Sequence, residues 1–370
     1  MKKKFVSVVL AVAMFGFSAA AFADAADNGS SITITVENVQ SYDPAQTSTG
    51  TAPATPIAPA SPVDSAAPVA PAAPAEVPSQ TIAGRPLNPA PMKAGEVETE
   101  QSLLVTAEWL KANAKNVIIV DARPESLYSG GHIPGAVNAS WTYFAKMNVP
   151  AGHMRYRTVL SPASLSKRIG ALGIDGKKTV VAYCDAGGWG QSGWTVWILR
   201  MAGIKNAKIL DGGFTAWKEA GGAVSKTAQK NKPVAFNLKE FKPGYVVDTE
   251  WVNNNLGKPG LVLLDVRTDG EYNGKIRPFG EKRMGHLPGA VHIEMSNFVK
   301  DGQHFIEEAD VEALVAAKGI SKDSEIVVYD TAGVRAAFVT MVLRYAGYSK
   351  AMCYDEGFQA WAGQKDLPLD

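Results

Sequence analysis

Short apolar runs, each closed by a polar residue or a tyrosine, punctuate the last three-quarters of the chain. Val117-Ile118-Ile119-Val120 precedes Asp121, and Leu261-Val262-Leu263-Leu264 precedes Asp265. These runs are continuous rather than alternating, the pattern of strands buried on both faces. Thr179 to Tyr183 and Glu325 to Tyr329 have the same character. Between the runs the apolar positions change to a helical period. Trp194, Trp197, Ile198 and Met201, and later Phe338, Met341, Val342 and Tyr345, follow i, i+3, i+4, i+7 spacing and predict helices with a buried face. The tryptophans are read as core residues. Strands alternating with helices form βαβ units, so the expected fold is α/β, with mainly parallel sheets flanked by helices.

The pattern occurs twice. Gly131-His132-Ile133-Pro134-Gly135-Ala136 returns as Gly285-His286-Leu287-Pro288-Gly289-Ala290. Asp211-Gly212-Gly213-Phe214-Thr215-Ala216-Trp217 returns as Asp355-Glu356-Gly357-Phe358-Gln359-Ala360-Trp361. Two domains are expected, at 100–225 and 241–370, joined by a polar linker at 226–240. The second copy carries an extra loop around Asn273 to Arg283, and the turn after Cys184 is two residues longer than its counterpart after Asp330.

The first hundred residues differ in kind. Lys2-Lys3-Lys4, the apolar stretch to Ala21 and the small-x-small end Ala21-Phe22-Ala23 predict a signal peptide over 1–23. The stretch is short beside the roughly 20 residues a membrane span needs, so stable membrane insertion is not expected. Residues 24–99 are rich in Pro and Ala and cannot bury enough apolar surface to order themselves, which predicts a disordered spacer. The expected product is a soluble exported protein, located in the periplasm. A net charge of +1 gives no reason to expect nucleic acid as a partner. Two cysteines exclude a disulfide scaffold, and no Cys/His clustering suggests a metal or other cofactor.

The chemistry concentrates where the two copies differ. The first copy's strand runs into Cys184, and the second copy's runs into Asp330. After Cys184 come Asp185, Ala186, Gly187, Gly188, Trp189, Gly190, Gln191 and Ser192. Three glycines allow a tight turn that aims N–H groups inward, and the helix opening near Ser192 adds its dipole. Such a cradle is expected to ionise Cys184 and to hold an anion or a substrate. Ser192 is equally a helix cap, and Trp189 either walls the site or leans on the other domain. His153, Arg155 and Arg157 are candidate anion contacts. Asp121 with Arg123 is expected to form a buried pair behind the loop. His132 is expected to brace the Pro-Gly turn, and Asp330 to pair with Arg335. Cys353 reads as a small buried hydrophobe.

These motifs resemble the rhodanese family of sulfurtransferases across both domains. Val120-Asp121-Ala122-Arg123 through Gly131-His132-Ile133-Pro134-Gly135-Ala136-Val137-Asn138 is similar to the family's N-terminal signature, and Leu210 to Trp217 to its C-terminal one. The resemblance implies two tandem rhodanese-like domains, the first catalytic and the second not. It implies that Cys184 accepts a sulfane sulfur as a persulfide and passes it on. The expected partners are a small sulfur-containing donor (thiosulfate, polysulfide, a low-molecular-weight persulfide or a mercapto acid) and a thiol, cyanide or periplasmic protein acceptor. The alternatives are a non-turnover persulfide or chalcogen carrier and an interaction module. Two departures stand out. Well-known two-domain members carry the cysteine in the C-terminal copy, and this loop has Asp185 but no Arg or Lys. Rhodanese-like phosphatases end an enlarged loop in Arg, whereas Trp189 and Gly190 stand here, which argues against phosphoryl transfer.

Overall fold

The computed structural model of the chain describes residues 103–370, except 151–152, 186–187, 279 and 302–303. The expected signal peptide and spacer lie outside the described residues, as do Ala186 and Gly187 of the loop.

The first domain contains β1 (Leu104–Val105), α1 (Ala107–Asn113), β2 (Ile118–Asp121), α2 (Glu125–Gly130), β3 (Val137–Asn138), α3 (Pro162–Ala171), β4 (Val180–Tyr183), α4 (Gln191–Met201), β5 (Ala207–Leu210) and α5 (Gly213–Glu219). The second repeats it with β6 (Val246–Val247), α6 (Thr249–Asn254), β7 (Leu261–Asp265), α7 (Asp269–Tyr272) and β8 (Val291–His292). A short antiparallel hairpin follows, β9 (Val299–Lys300) and β10 (His304–Phe305). Then come α8 (Glu308–Ala316), β11 (Glu325–Tyr329), α9 (Val334–Tyr345), β12 (Ala351–Tyr354) and α10 (Gly357–Gly363).

Each domain has a five-stranded sheet, in the orders β1-β5-β4-β2-β3 and β6-β12-β11-β7-β8, with every neighbouring pair parallel. This is the expected class. The two sheets have the same topology, as a duplicated sequence requires. In a parallel sheet the strand-to-helix loops gather at the carboxyl ends, which is where ligands bind in such folds. Cys184 and Asp330 both follow central strands at that end.

The cores explain why α4 and α9 are so apolar. The outer face of the first sheet packs on Leu110, Phe214 and Trp217, and that of the second on Val252, Phe358 and Trp361. The inner faces share one continuous core containing Trp194, Trp197, Val334, Phe338 and Met341. Helices α4 and α9 lie against each other in that seam, and nearly every residue of both is buried. The sequence predicted one buried face for each. The second buried face comes from the partner domain. Gly193 marks a close approach: a Cβ there would sit 2.7 Å from the Phe338 backbone.

Candidate active site

Strand β4 delivers Cys184 to the loop, and the loop turns into α4 at Gly190, whose φ of 74° lies in the left-handed region. The Cys184 carbonyl accepts from Phe214 N at 2.9 Å, so the loop's first residue is pinned to the start of α5. The sulfur meets Ser192 Oγ at 3.2 Å. A Cβ on Gly188 would lie 3.7 Å from that sulfur and 2.7 Å from Gln191 Oε1, so the glycine lets the main chain close over the thiol. Cys184 remains partly accessible, while Trp189 is 39% exposed at the rim. Cys184 and Cys353 are both free, and Cys353 is wholly buried, its sulfur 3.6 Å from Gly333 O.

Behind the loop lies the expected Asp–Arg pair. Strand register sets Asp121 beside Tyr183. Tyr183 Oη donates to Asp121 Oδ2 at 2.5 Å and accepts from Ile133 N at 3.1 Å. Arg123 Nη2 reaches Asp121 Oδ2 at 2.6 Å and Gly131 O at 2.7 Å, and its guanidinium covers the Phe214 ring at 4.1 Å. Arg123 Nη1 continues to Asp185 Oδ1 at 3.2 Å. One buried guanidinium therefore ties strand, Pro-Gly turn and active loop together. His132 stacks on Tyr128, with Nδ1 2.8 Å from Tyr128 O and Nε2 3.1 Å from Thr227 O, so its ring bonds run to α2 and to the linker segment rather than to Pro134 or Gly135.

The thiol's ionisation differs from expectation. Burial pushes the Cys184 thiol above its ordinary range, Ser192 Oγ and N–H pull it back, and Asp185 and Asp121 push it up again. The net direction is upward. Burial is the largest cause, and Gly188 N–H is spent on Asp185 O at 3.2 Å rather than on the sulfur.

The second loop shows what such a cradle does to a carboxylate. Asp330 Oδ1 accepts from Gly333 N at 2.6 Å, and Oδ2 accepts from Arg335 Nε at 3.2 Å, the pairing read from the sequence. Arg335 also grips Glu271 through two bonds of 2.8 Å. Burial pushes Glu271 up, but these bonds outweigh it and hold its carboxyl at about 2. The extra loop brings Glu281 to 3.6 Å from Arg267, and Arg283 donates to four carbonyls at the chain's end. The sequence Thr268-x-x-Glu271 marks a capping box at the start of α7, which the structure forms, but nothing in the pattern marks the pairing of Glu271 with Arg335 or of Glu281 with Arg267, whose partners are distant in the chain.

Arg155 is exposed, and Arg157 lies over the Trp141 and Tyr156 rings with a positive φ of 68°. Contacts of their segment run to the second domain: Val159 N donates to Asp355 Oδ2 at 2.8 Å, and Gln359 Nε2 donates to Tyr156 O. His153 Nδ1 accepts from Arg155 N at 3.1 Å. The structure does not bring these side chains together with Cys184. The equivalent segment of the second domain serves the first: Phe305 N donates to Asp211 Oδ1 and His304 Nδ1 pairs with Asp211 Oδ2, each at 2.9 Å. The Asp211–His304 pair borders an interdomain cavity of about 550 Å³, also lined by Thr106, Phe305 and Tyr345. No sequence signal pointed to His304, since its partner lies in the other domain.

Two copies of one α/β unit, each presenting a strand-to-helix loop at its sheet's carboxyl end, with a cysteine opening one loop and an aspartate the other, define the class. The family model for the rhodanese-like domain matches residues 106–220 and 248–364. The chain belongs to the rhodanese family of sulfurtransferases, as a tandem-domain member. It is 28% identical over 294 residues to the thiosulfate sulfurtransferase of Corynebacterium glutamicum, covering 76% of this chain and 94% of that relative. It is 27% identical to the 3-mercaptopyruvate sulfurtransferase of Escherichia coli strain K12, covering 72% and 97%. Among solved structures it is similar to the anaerobic ergothioneine biosynthesis enzyme of Chlorobium limicola. That match has a TM-score of 0.67 and 23% identity over 76% of this chain and 72% of the other, a likeness of fold alone.

Proposed function

We propose that this chain is an exported sulfurtransferase that carries sulfane sulfur on Cys184. The observation that carries the reading is the asymmetry of the loops: a half-buried free cysteine with its sulfur 3.2 Å from a serine hydroxyl in one domain, and a buried, hydrogen-bonded carboxylate at the same station in the other. The Cys184 sulfur attacks the donor's sulfane sulfur. An S–S bond forms, the donor's bond to that sulfur breaks, and the bonding pair leaves with the donor remnant. A nucleophilic acceptor then attacks the outer sulfur and returns the Cys184 thiolate. Because the thiol's pKa is raised, its proton departs during capture, and Ser192 Oγ is the nearest polar atom to steady the sulfur left behind.

Asp185, Gly188, Trp189, Gly190, Gln191 and Ser192 form the wall the substrate meets; Ala186 and Gly187 lie outside the described residues. Donors are thiosulfate, polysulfide or a mercapto acid, and acceptors are a thiol, cyanide or a periplasmic protein. Residues 1–23 direct export to the periplasm. Among the described residues no helix is long and apolar enough to cross a membrane. Steady-state sulfur transfer to cyanide or a small thiol tests the reading. The wild type turns over and Cys184→Ser falls to background; equal rates for the two would overturn it. Fractionation of cells expressing the chain with and without residues 1–23 tests export.

A further inference from the structure

The charges around Cys184 select the donor, and the selection rests on the sulfur-transfer reading above. The loop from Cys184 to Ser192 contains one charged side chain, Asp185, and no cation. Among the described residues the titratable side chains beside it are paired. Arg123 is held by Asp121 at 2.6 Å and by Asp185 at 3.2 Å. His304, packed on Gly212 next to the Gly213 that abuts the Cys184 carbonyl, meets Asp211 at 2.9 Å. Behind the loop two carboxylates, Asp121 and Asp185, thus share one guanidinium. Asp121 is wholly buried and spent on Arg123 and Tyr183, but Asp185 keeps 36% of its side chain exposed. The groups that act most strongly on the thiol are burial, Ser192, Asp185 and Asp121, with no cation among them. Trp189, 39% exposed, supplies apolar surface at the rim rather than charge.

Thiosulfate is a dianion and releases a sulfite dianion, and both need cations or many donors nearby. A thiol persulfide makes a lighter demand. The Cys184 sulfur attacks the outer sulfur of R–S–SH, the new bond forms between those two sulfurs, and the R–S bond to the outer sulfur breaks. The pair leaves on R–S⁻, which takes up the proton Cys184 gives away. No oxidant is consumed. An ammonium on R would sit well beside the exposed carboxylate of Asp185. We infer that the Cys184 site is built to take sulfur from the persulfide of an amine-bearing thiol, and that Asp185 is the residue that sets this preference against thiosulfate.

The test is the initial rate of sulfur loading on the full chain, read by intact mass after alkylation. Three donors are compared: cysteamine persulfide, 3-mercaptopropionate persulfide and thiosulfate. At low salt, cysteamine persulfide loads about tenfold faster than thiosulfate and several-fold faster than the carboxylate-bearing persulfide, as like-charge repulsion at an incompletely screened site demands. Added salt speeds thiosulfate loading and slows loading of the ammonium-bearing persulfide, whose attraction to Asp185 it screens. Asp185→Asn narrows the gap between the two persulfides to about twofold or less. Thiosulfate loading as fast as cysteamine persulfide in the wild type, or a donor order untouched by both salt and Asp185→Asn, overturns the inference while leaving sulfur transfer intact. Failure of every donor to load sulfur overturns the underlying reading instead.

Discussion

At the scale of single residues, the two loops carry out one comparison. Asp330 occupies the station of Cys184 and draws Gly333 N and the Arg335 guanidinium onto its oxygens. A thiol placed there would inherit a cationic neighbour that Cys184 lacks. In a Cys184→Ser background, Asp330→Cys is therefore expected to alkylate with a pH midpoint below that of native Cys184. A midpoint equal to or above it would show that burial outweighs the guanidinium. Ser192 has the reverse test. Its hydroxyl and N–H pull the Cys184 thiol down against burial. Ser192→Ala should slow alkylation of Cys184 at neutral pH about fivefold, the worth of one hydrogen bond near 1 kcal/mol, and shift the midpoint upward. The placement of Cys184 directly after a buried strand was legible in the sequence. Its ionisation was not, because that depends on which amides face the sulfur and on Asp121, a carboxylate 63 positions upstream.

At the scale of elements, the apolar runs placed the central strands and helices well. Val117 to Asp121 and Leu261 to Asp265 became β2 and β7, and the Asp–Arg and His–turn networks repeat between domains. Loop length was partly legible. The helix caps Gly190 and Gly333 fall six and three residues after Cys184 and Asp330, while α9 is one residue longer than α4, which yields the net two-residue difference seen in the sequence. What the helical period could not show is that α4 and α9 bury a second face against each other. Gly193 is small because Phe338 lies against it. Gly193→Ala should cost about 2 kcal/mol of stability by urea unfolding, and about half of that or less in a Phe338→Ala background, since the crowding is then removed. Equal costs in both backgrounds would mean that Phe338 does not set the spacing.

At the scale of the whole molecule, the domains exchange matching clamps. Phe305 N reaches Asp211 of the first domain, and Val159 N reaches Asp355 of the second. Only Asp211 has a histidine partner. Burial pushes Asp355 up to about 7; the Val159 amide opposes this and Glu356 adds to it. A carboxyl with a raised folded pKa favours folding at low pH. That contribution is complete below the unfolded value of about 3.9 and is lost as pH rises through the folded one. Burial sends Glu281 the same way, also to about 7, with Arg267 opposing. Stability relative to Asp355→Asn should therefore fall as pH goes from 5 to 8. A difference that is flat across that window would contradict the assignment. None of these clamps was legible from the sequence, where each partner lies in the other domain.

The most direct measurement of the central claim is peptide mapping after brief exposure to a sulfur donor and alkylation of the trapped product. The account predicts a single added sulfur atom on the peptide containing Cys184, removed by a thiol acceptor and absent from Cys184→Ser. Sulfur appearing on Cys353, or a Cys184 peptide that never gains mass with any donor, would contradict it.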